Sequence, residues 1–398
     1  MKKVMILGAG ASQIPLIKAA KKAGHYVIVC SIPGAYPGFS LADECCYADI
    51  SDPDDVLDAA KKLSIDAVTT CGMDTGIRAA GRVCDVLGLS GISEDAARRA
   101  SDKSLSKEAF QKKGVNCASS FVIYNQEELL THLEDMRLPV LVKAVDLMGS
   151  RGIYLCESRE QALEAFRSVF EETKKSYCLL EEFLDGGTLF GAEGMITDGK
   201  LDFLLPYGTE VYHGCAVPTS LGHWVPFADQ PLLEAVTDEV LKALDALGIR
   251  TSPFNCDLIQ KDGKIYIIEI NARAGASSLS ETVSLYYGLD YYDVLVRHAL
   301  GESVRKKFGE NPFFGQPCAS RMMISRRTGT VESVINPVTP GGNLVQLNLL
   351  VREGDRVKNY QCGRDRIGSI LVKGDSVQSC IDLLDRTEAA ISITVKEE

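Results

Sequence analysis

The chain has 398 residues, with 43 Lys and Arg against 54 Asp and Glu, giving a formal net charge of −11. Hydrophobic residues make up 45% and charged residues 24%, an ordinary globular composition, and no apolar run reaches the ~18 residues of a membrane helix. The acidic balance argues against a nucleic-acid binder, which needs a basic face to displace counterions, yet a few local cations can still hold one anion.

Met1-Lys2-Lys3 leads into the strand-like run Val4-Met5-Ile6-Leu7. That apolar stretch is too short for the core of a signal peptide, so it reads as structure in a cytoplasmic protein. A helix is expected over 14–23, a strand over 26–30, a helix over 54–63 and a strand over 67–70. Strands alternating with helices indicate a parallel sheet covered on both faces, a Rossmann-like unit over 1–95. Its Gly8-Ala9-Gly10 turn lacks the third glycine of a dinucleotide fingerprint, because Gln13 stands there, and no acidic residue closes the second strand. A tight turn is therefore preferred to an NAD site.

A boundary is expected near 90–101, followed by a helix over 104–112 and short strands over 119–123 and 140–143. Residues 179–211 are strand-rich with Asp198-Gly199 as a hairpin turn, and a helix follows over 232–247. Then comes a second hairpin, 255–260 and 265–270, joined by Lys261-Asp262-Gly263-Lys264. From about Phe314 the chain reads as strands with a closing helix over 377–390. The 13 cysteines show no C-x-x-C and no zinc spacing, so free thiols in a reducing compartment are expected.

The second hairpin is the most informative segment. Asp257 and Glu269 each stand in a strongly apolar strand, and Asn271 follows Glu269 by two, which places that pair on one face. Two carboxylates facing the same way call for a cation, and oxygen-only ligation suits magnesium sharing phosphate oxygens. The alternative, that these residues face solvent across a two-layer sheet, stays open on this segment alone. Lys143 ends the buried run 138–142, and a loop with Gly149, Ser150, Arg151 and Gly152 follows, of a kind that folds backbone N–H groups over phosphates. Lys103 opens a helix behind Ser101-Asp102, where an ammonium opposes the helix dipole unless it serves an anion; a solvated lysine is the plain alternative.

Taken in order, these pieces resemble the ATP-grasp ligase superfamily. The motifs are Ser101-Asp102-Lys103 with Lys107, Pro139 to Ala144, the glycine loop, Leu180-Glu181-Glu182-Phe183-Leu184, Ala192-Glu193-Gly194, and Asp257 with Glu269-Ile270-Asn271-Ala272-Arg273. The resemblance spans about residues 1–300 and is nearest to the biotin-carboxylase, phosphoribosylglycinamide-synthetase and L-amino-acid-ligase branch. It implies a mixed α/β and α+β architecture: a Rossmann-like part over 1–95, a two-lobed ATP-grasp part over 96–310 with its lid lobe at about 120–190, and a small β-rich part over 311–398.

By the same resemblance, Lys103 and Lys143 hold the ATP phosphates, and Gly149, Ser150, Arg151 and Gly152 close over them. Glu181, Glu182 and Leu184 contact adenine and ribose, with Glu193 near the ribose, while Ile259 and Ile268 pack on adenine. Asp257, Glu269 and Asn271 bind one or two Mg2+ (or Mn2+) ions. Arg273 faces the transferred phosphoryl group and, with Lys143, is catalytic. His213, in the stretch Glu210 to Gly214, is expected at the acceptor substrate.

The implied activity is ADP-forming ligation of a small amino-acid-like carboxylate to an amine through an acyl phosphate. A phosphoribosylamine–glycine ligase and a biotin-carboxylase-like enzyme are the alternatives; the loop sequence and the residues after Asn271 depart from the biotin-carboxylase pattern. A nicotinamide oxidoreductase explains none of the later motifs. An ATP-binding sensor has little need for phosphoryl-transfer ligands. The expected partners are small molecules, with neither nucleic acid nor membrane. Covering the active site and supporting a homodimer are the two roles considered for the last segment.

Overall fold

The computed structural model describes residues 1–147, 149, 151–215, 217–309 and 315–397. The apolar run at the start forms β1 (Lys3–Leu7), followed by α1 (Ile14–Lys22), β2 (Tyr26–Ser31), β3 (Glu44–Tyr47), α2 (Pro53–Leu63), β4 (Ala67–Thr69) and α3 (Ile77–Leu87). The strands form a parallel sheet in the order β3-β2-β1-β4. Val4, Ile6, Val27 and Val29 pack against Leu16, Ile17 and Ala20 of α1. Met5, Leu7 and Ile28 pack on the other face against Val56, Leu57 and Val83. Burial on both faces is why these strands read as unbroken apolar runs. Gly8 has φ +97, and the Gly10 N–H donates to Gln13 Oε1 at 3.1 Å. Gln13 Nε2 in turn donates to the Cys71 carbonyl at 2.7 Å. The glycine turn is thus packed from inside by Gln13.

Next come α4 (Glu94–Ala100), α5 (Lys103–Lys113), β5 (Ser120–Ile123), α6 (Gln126–Glu134), β6 (Val140–Lys143), β7 (Ile153–Cys156), α7 (Arg159–Glu172) and β8 (Cys178–Glu182). These strands form an antiparallel sheet ordered β5-β8-β6-β7. Val140, Val142, Cys178 and Leu180 turn toward α6 and α7, burying Leu129, Ala162, Ala165 and Val169. Strand alternation then puts Lys143 and Glu181 on the opposite face, one diagonal step apart, since Leu141 pairs with Glu181.

The remaining elements are β9 (Thr188–Thr197), β10 (Lys200–Tyr212), β11 (Thr219–Val225), α8 (Gln230–Leu247), β12 (Ser252–Lys261), β13 (Lys264–Asn271), α9 (Leu279–Tyr287) and α10 (Tyr291–Ala299). They are followed by β14 (Cys318–Ile324), β15 (Gly329–Ile335), β16 (Leu344–Leu349), β17 (Arg356–Val357), β18 (Arg366–Lys373), α11 (Val377–Ala390) and β19 (Ser392–Glu397). Eight strands form the central sheet, β13-β12-β9-β10-β11-β14-β18-β16, and β17-β15-β19 form a small one. The expected boundary at 310–311 and Phe314 lie outside the described residues, and the central sheet runs on through β14, β18 and β16. The chain ends in β19, one strand beyond the closing helix expected from the sequence. Arg321 of β14 ties these parts together, reaching Glu210 of β10 at 2.8 Å and Asp385 and Glu388 of α11 at 2.7 and 3.1 Å.

One face of the central sheet packs on α8: Phe190, Ala192, Phe254, Cys256, Leu258, Ile267 and Ile270 meet Val236, Val240, Leu244 and Leu247. The other face meets α9, α10 and the first sheet through Met195, Leu205, Tyr207, Val283 and Tyr291. Among the described residues no helix is long and apolar enough to cross a membrane. Phe254 is fully buried, and its ring lies where a Cβ on Gly194 would sit. Phe254→Ala is expected to lose about 3–5 kcal/mol, lowering the urea midpoint; an unchanged midpoint contradicts this packing account.

Candidate active site

The face of β12 and β13 turned away from α8 carries the proposed metal ligands. Asp257 lies directly opposite Glu269, and Asn255 opposite Asn271. The register shifts between Asp257 and Leu258, so Ile268 has no partner across the ladder. This bulge lets Ile267 and Ile270 both enter the α8 core while Ile268 and Glu269 stay half-buried outside it. Ile259, half-buried, occupies the same side of β12 as Asp257. Burial and the neighbouring Glu269 charge push the Asp257 carboxyl up to about 6, against the pull of Arg273 and Lys103. Two opposed carboxylates and an amide form an all-oxygen set with more negative charge than its neighbours cancel, which fits a hard divalent cation. Among the described residues no three His, Cys, Asp or Glu side chains form a metal cluster, so Asn271, water and phosphate oxygens would complete the shell.

Across the cleft, α5 begins behind Asp102, whose carboxylate accepts from the Ser104 and Leu105 N–H groups as a helix cap. The Lys103 Nζ lies 3.0 Å from Glu269 Oε1 and donates to the Leu147 carbonyl at 2.9 Å. Burial works against this ammonium, but Glu269 outweighs it and leaves the lysine above its ordinary value. One turn on, Lys107 Nζ lies 3.1 Å from Glu181 Oε2, while Lys143 Nζ lies 2.5 Å from Glu181 Oε1. Lys107, Lys143 and Glu181 are 4%, 6% and 3% exposed. Burial alone would raise the Glu181 carboxyl, yet the two ammoniums hold it below its usual range. Burial lowers Lys143 more than Glu181 raises it. Two buried cations on one carboxylate leave a net positive charge, a setting that favours an arriving anion.

The loop after β6 folds back through Ala144 N–H donating to the Gly152 carbonyl at 2.7 Å. Gly152 has φ +60, and a Cβ there would stand 2.9 Å from Ala144 and Leu147 side-chain atoms, so only glycine fits. Gly149 is exposed with φ +69, and Arg151 is half-buried. Ser150 lies outside the described residues. Glu182 is exposed and accepts from the Ser119 N–H at 3.4 Å, and Leu184 is half-buried in the loop beyond it.

Arg273 is buried, with Nε 2.6 Å from Asp74 Oδ1. Asp74 was not singled out from the sequence. The available signal was its position in a Gly72-x-Asp74-x-Gly76 loop at the carboxyl end of a parallel strand, where open α/β sheets place ligands. That loop meets the segment after β13 directly, Gly72 N–H donating to the Ala274 carbonyl at 3.1 Å.

Glu193 and His213 lie in contrasting surroundings. Glu193, expected at the ribose, is fully buried, accepting from Gly275 N–H at 2.9 Å, Asn255 Nδ2 at 3.2 Å and Tyr291 OH at 3.4 Å. It therefore pins the segment that carries Arg273. His213 is exposed at the far end of β10, where Tyr212 packs edge-on against Tyr360. His223 of β11, by contrast, is buried, its ring centroid 4.8 Å from that of Tyr207 and its Nδ1 without a hydrogen-bond partner. Burial lowers His223 to about 4, so it is neutral at pH 7. Tyr207 OH accepts from Asn255 Nδ2 at 2.9 Å, linking His223 toward the β12 face.

Burial pushes the Glu193 carboxyl from the ordinary 4.5 up to about 8. The folded state thus binds this proton more tightly than the unfolded chain, so Glu193 removes stability as pH rises through that window. Glu193→Gln is expected to flatten the fall in urea midpoint between about pH 5 and pH 8; a slope equal to that of the wild type contradicts the assignment.

Residues 101–278 match the family described as phosphoribosylglycinamide synthetase, ATP-grasp (A) domain, and residues 321–396 match L-amino acid ligase C-terminal domain 2. The phosphoribosylglycinamide synthetase structure from Anaerococcus prevotii is 37% identical, with 99% of this chain and 100% of that one covered and a TM-score of 0.81. The L-amino acid ligase structure from Bacillus licheniformis shares the fold at 19% identity and TM-score 0.83, covering 100% and 99% of the two chains. A phosphoribosylamine–glycine ligase from Clostridium acetobutylicum is 25% identical over 299 residues, 69% of each chain. End-to-end similarity at that first level of identity, together with the matched ATP-grasp segment, shows that the chain belongs to the ATP-grasp ligases.

Proposed function

We propose that this ligase activates a small amino-acid-like carboxylate as an acyl phosphate, releasing ADP, and transfers the acyl group to an amine. The observation that carries the reading is the convergence of Lys103 and Arg273 on Asp257 and Glu269, with Lys143, paired to Glu181, near enough to Lys103 to feel its charge. Lys103 and Lys143 would take the phosphates, beneath Gly149, Arg151 and Gly152. Ile259 and Ile268 would pack on adenine, whose edge meets the backbone of 181–184. Asp257, Glu269 and Asn271 would hold one or two magnesium ions, which when bound neutralise charge on the transferring phosphoryl group.

A substrate carboxylate oxygen attacks the γ-phosphorus, ADP departs, and the amine then displaces phosphate from the mixed anhydride. Arg273, held by Asp74, is proposed to orient the carboxylate and its acyl phosphate. Positioning and preorganised charge supply most of the acceleration in such transfers. His213, exposed at the end of β10, is proposed to meet the acceptor substrate, while buried His223 shares the inner face of the sheet with Tyr207. The division near residues 95 and 310 belongs to the same proposal.

A second reading, glycine joined to phosphoribosylamine, is favoured specifically by the 37% identity to the Anaerococcus prevotii protein. An ADP-release screen separates the two, using amino acids singly and in pairs, glycine with phosphoribosylamine, and biotin with bicarbonate as comparators. On the substrate pair so found, Lys143→Ala and Glu269→Gln are each expected to lose about 100-fold or more in turnover. Near-full turnover in both variants would overturn the assignment.

A further inference from the structure

We infer that the Lys103 ammonium is a resident stand-in for the divalent cation, so that it keeps Glu269 occupied until nucleotide arrives. The inference rests on the proposal that Asp257, Glu269 and Asn271 are metal ligands. Lys103 Nζ is 3.0 Å from Glu269 Oε1, and among the described residues its other polar contact is the neutral carbonyl of Leu147. The two side chains are only 16% and 28% exposed, so water screens their attraction weakly. Asp257, directly across the ladder, makes no ion pair among the described residues, so this ammonium supplies the cationic contact that the carboxylate pair has.

A magnesium or manganese ion held by Glu269 would bring a double positive charge against the Lys103 ammonium. The two cations therefore compete for one carboxylate oxygen. A nucleotide polyphosphate offers the ammonium another anion, drawing it off Glu269 and opening that oxygen to the metal. By linkage, metal and nucleotide then favour each other's binding through the side chain of Lys103. Lys143 provides a built-in control: its carboxylate is Glu181, shared with Lys107, so removing Lys143 deletes the same charge without vacating Glu269.

The test is Mn2+ binding to the full chain, read from the electron paramagnetic resonance signal of free Mn2+, first without nucleotide. Lys103→Met is expected to bind Mn2+ about tenfold more tightly than wild type, and Lys143→Met to differ from wild type by no more than about twofold. Lys103→Arg, which keeps the ion pair, should match wild type, and adding Glu269→Gln to Lys103→Met should erase the gain. Equal affinity in wild type and Lys103→Met overturns the inference, as does an equal gain in Lys143→Met, which would mean a general field effect. Should Lys103→Met fail to fold by circular dichroism, Lys103→Gln carries the same expectations. A parallel titration with ADP separates the inference from the reading beneath it. If wild type with ADP retains no more Mn2+ than Glu269→Gln, the metal-site assignment falls and the inference falls with it. If it retains more, but Lys103→Met shows no gain without nucleotide, the stand-in alone is wrong.

Discussion

Charge placed inside the fold without an equal and opposite partner is the constraint on which the cleft depends. Glu181 is shared by two buried ammoniums, leaving positive charge on the β6–β8 side. Asp257 and Glu269 face one another with Lys103 as their ion-pair partner among the described residues, while Arg273, which acts on both, is itself neutralised by Asp74, leaving negative charge on the β12–β13 side. Among the described residues, no further ion pair from the same sheet relieves either excess. A polyphosphate lying toward the lysines, with a cation toward the carboxylates, cancels both at once, and that complementarity orients the ligand before any specific contact is considered.

Backbone irregularities make this arrangement compatible with a packed core. Without the bulge at Ile268, strict alternation would send either Ile268 or Glu269 into the α8 interface, at the cost of a buried carboxylate or of a lost hydrophobic contact. Gly152 brings the loop after β6 against Ala144, so that the Lys143 strand end and the loop share one site. Glu193, enclosed by Gly275, Asn255 and Tyr291, fixes the turn behind Arg273, while Asp74 fixes its guanidinium from the first sheet. Side chains of the β4–α3 loop, α5, β6, β8, β12 and β13 thereby meet in one place.

Much of this was legible in the sequence because local periodicity carries it. A lysine ending a buried run and a Glu-x-Asn pair in an apolar strand keep their meaning whatever packs on them, and Asp102 is a helix cap by local chemistry. The rest depends on distant partners. Arg273 and Asp74 are 199 residues apart, and nothing near either of them announces the other. The enclosure of Glu193 depends on Tyr291 and Gly275, which only the packing of α9 and α10 brings to it. His213 and His223 differ in exposure because one follows β10 and the other lies within β11, a strand the sequence pattern did not reveal. The bulge at Ile268 is likewise set by cross-strand packing, since a one-residue slip leaves composition unchanged.

The most direct test of the central claim is a crystal structure of the protein with magnesium and adenylyl imidodiphosphate. The account predicts phosphates between Lys103 and Lys143, adenine against Ile259 and Ile268, and the ion on Asp257 and Glu269. Nucleotide bound instead at the Gly8-Ala9-Gly10 turn of the first sheet, with the β12–β13 face empty, would contradict it.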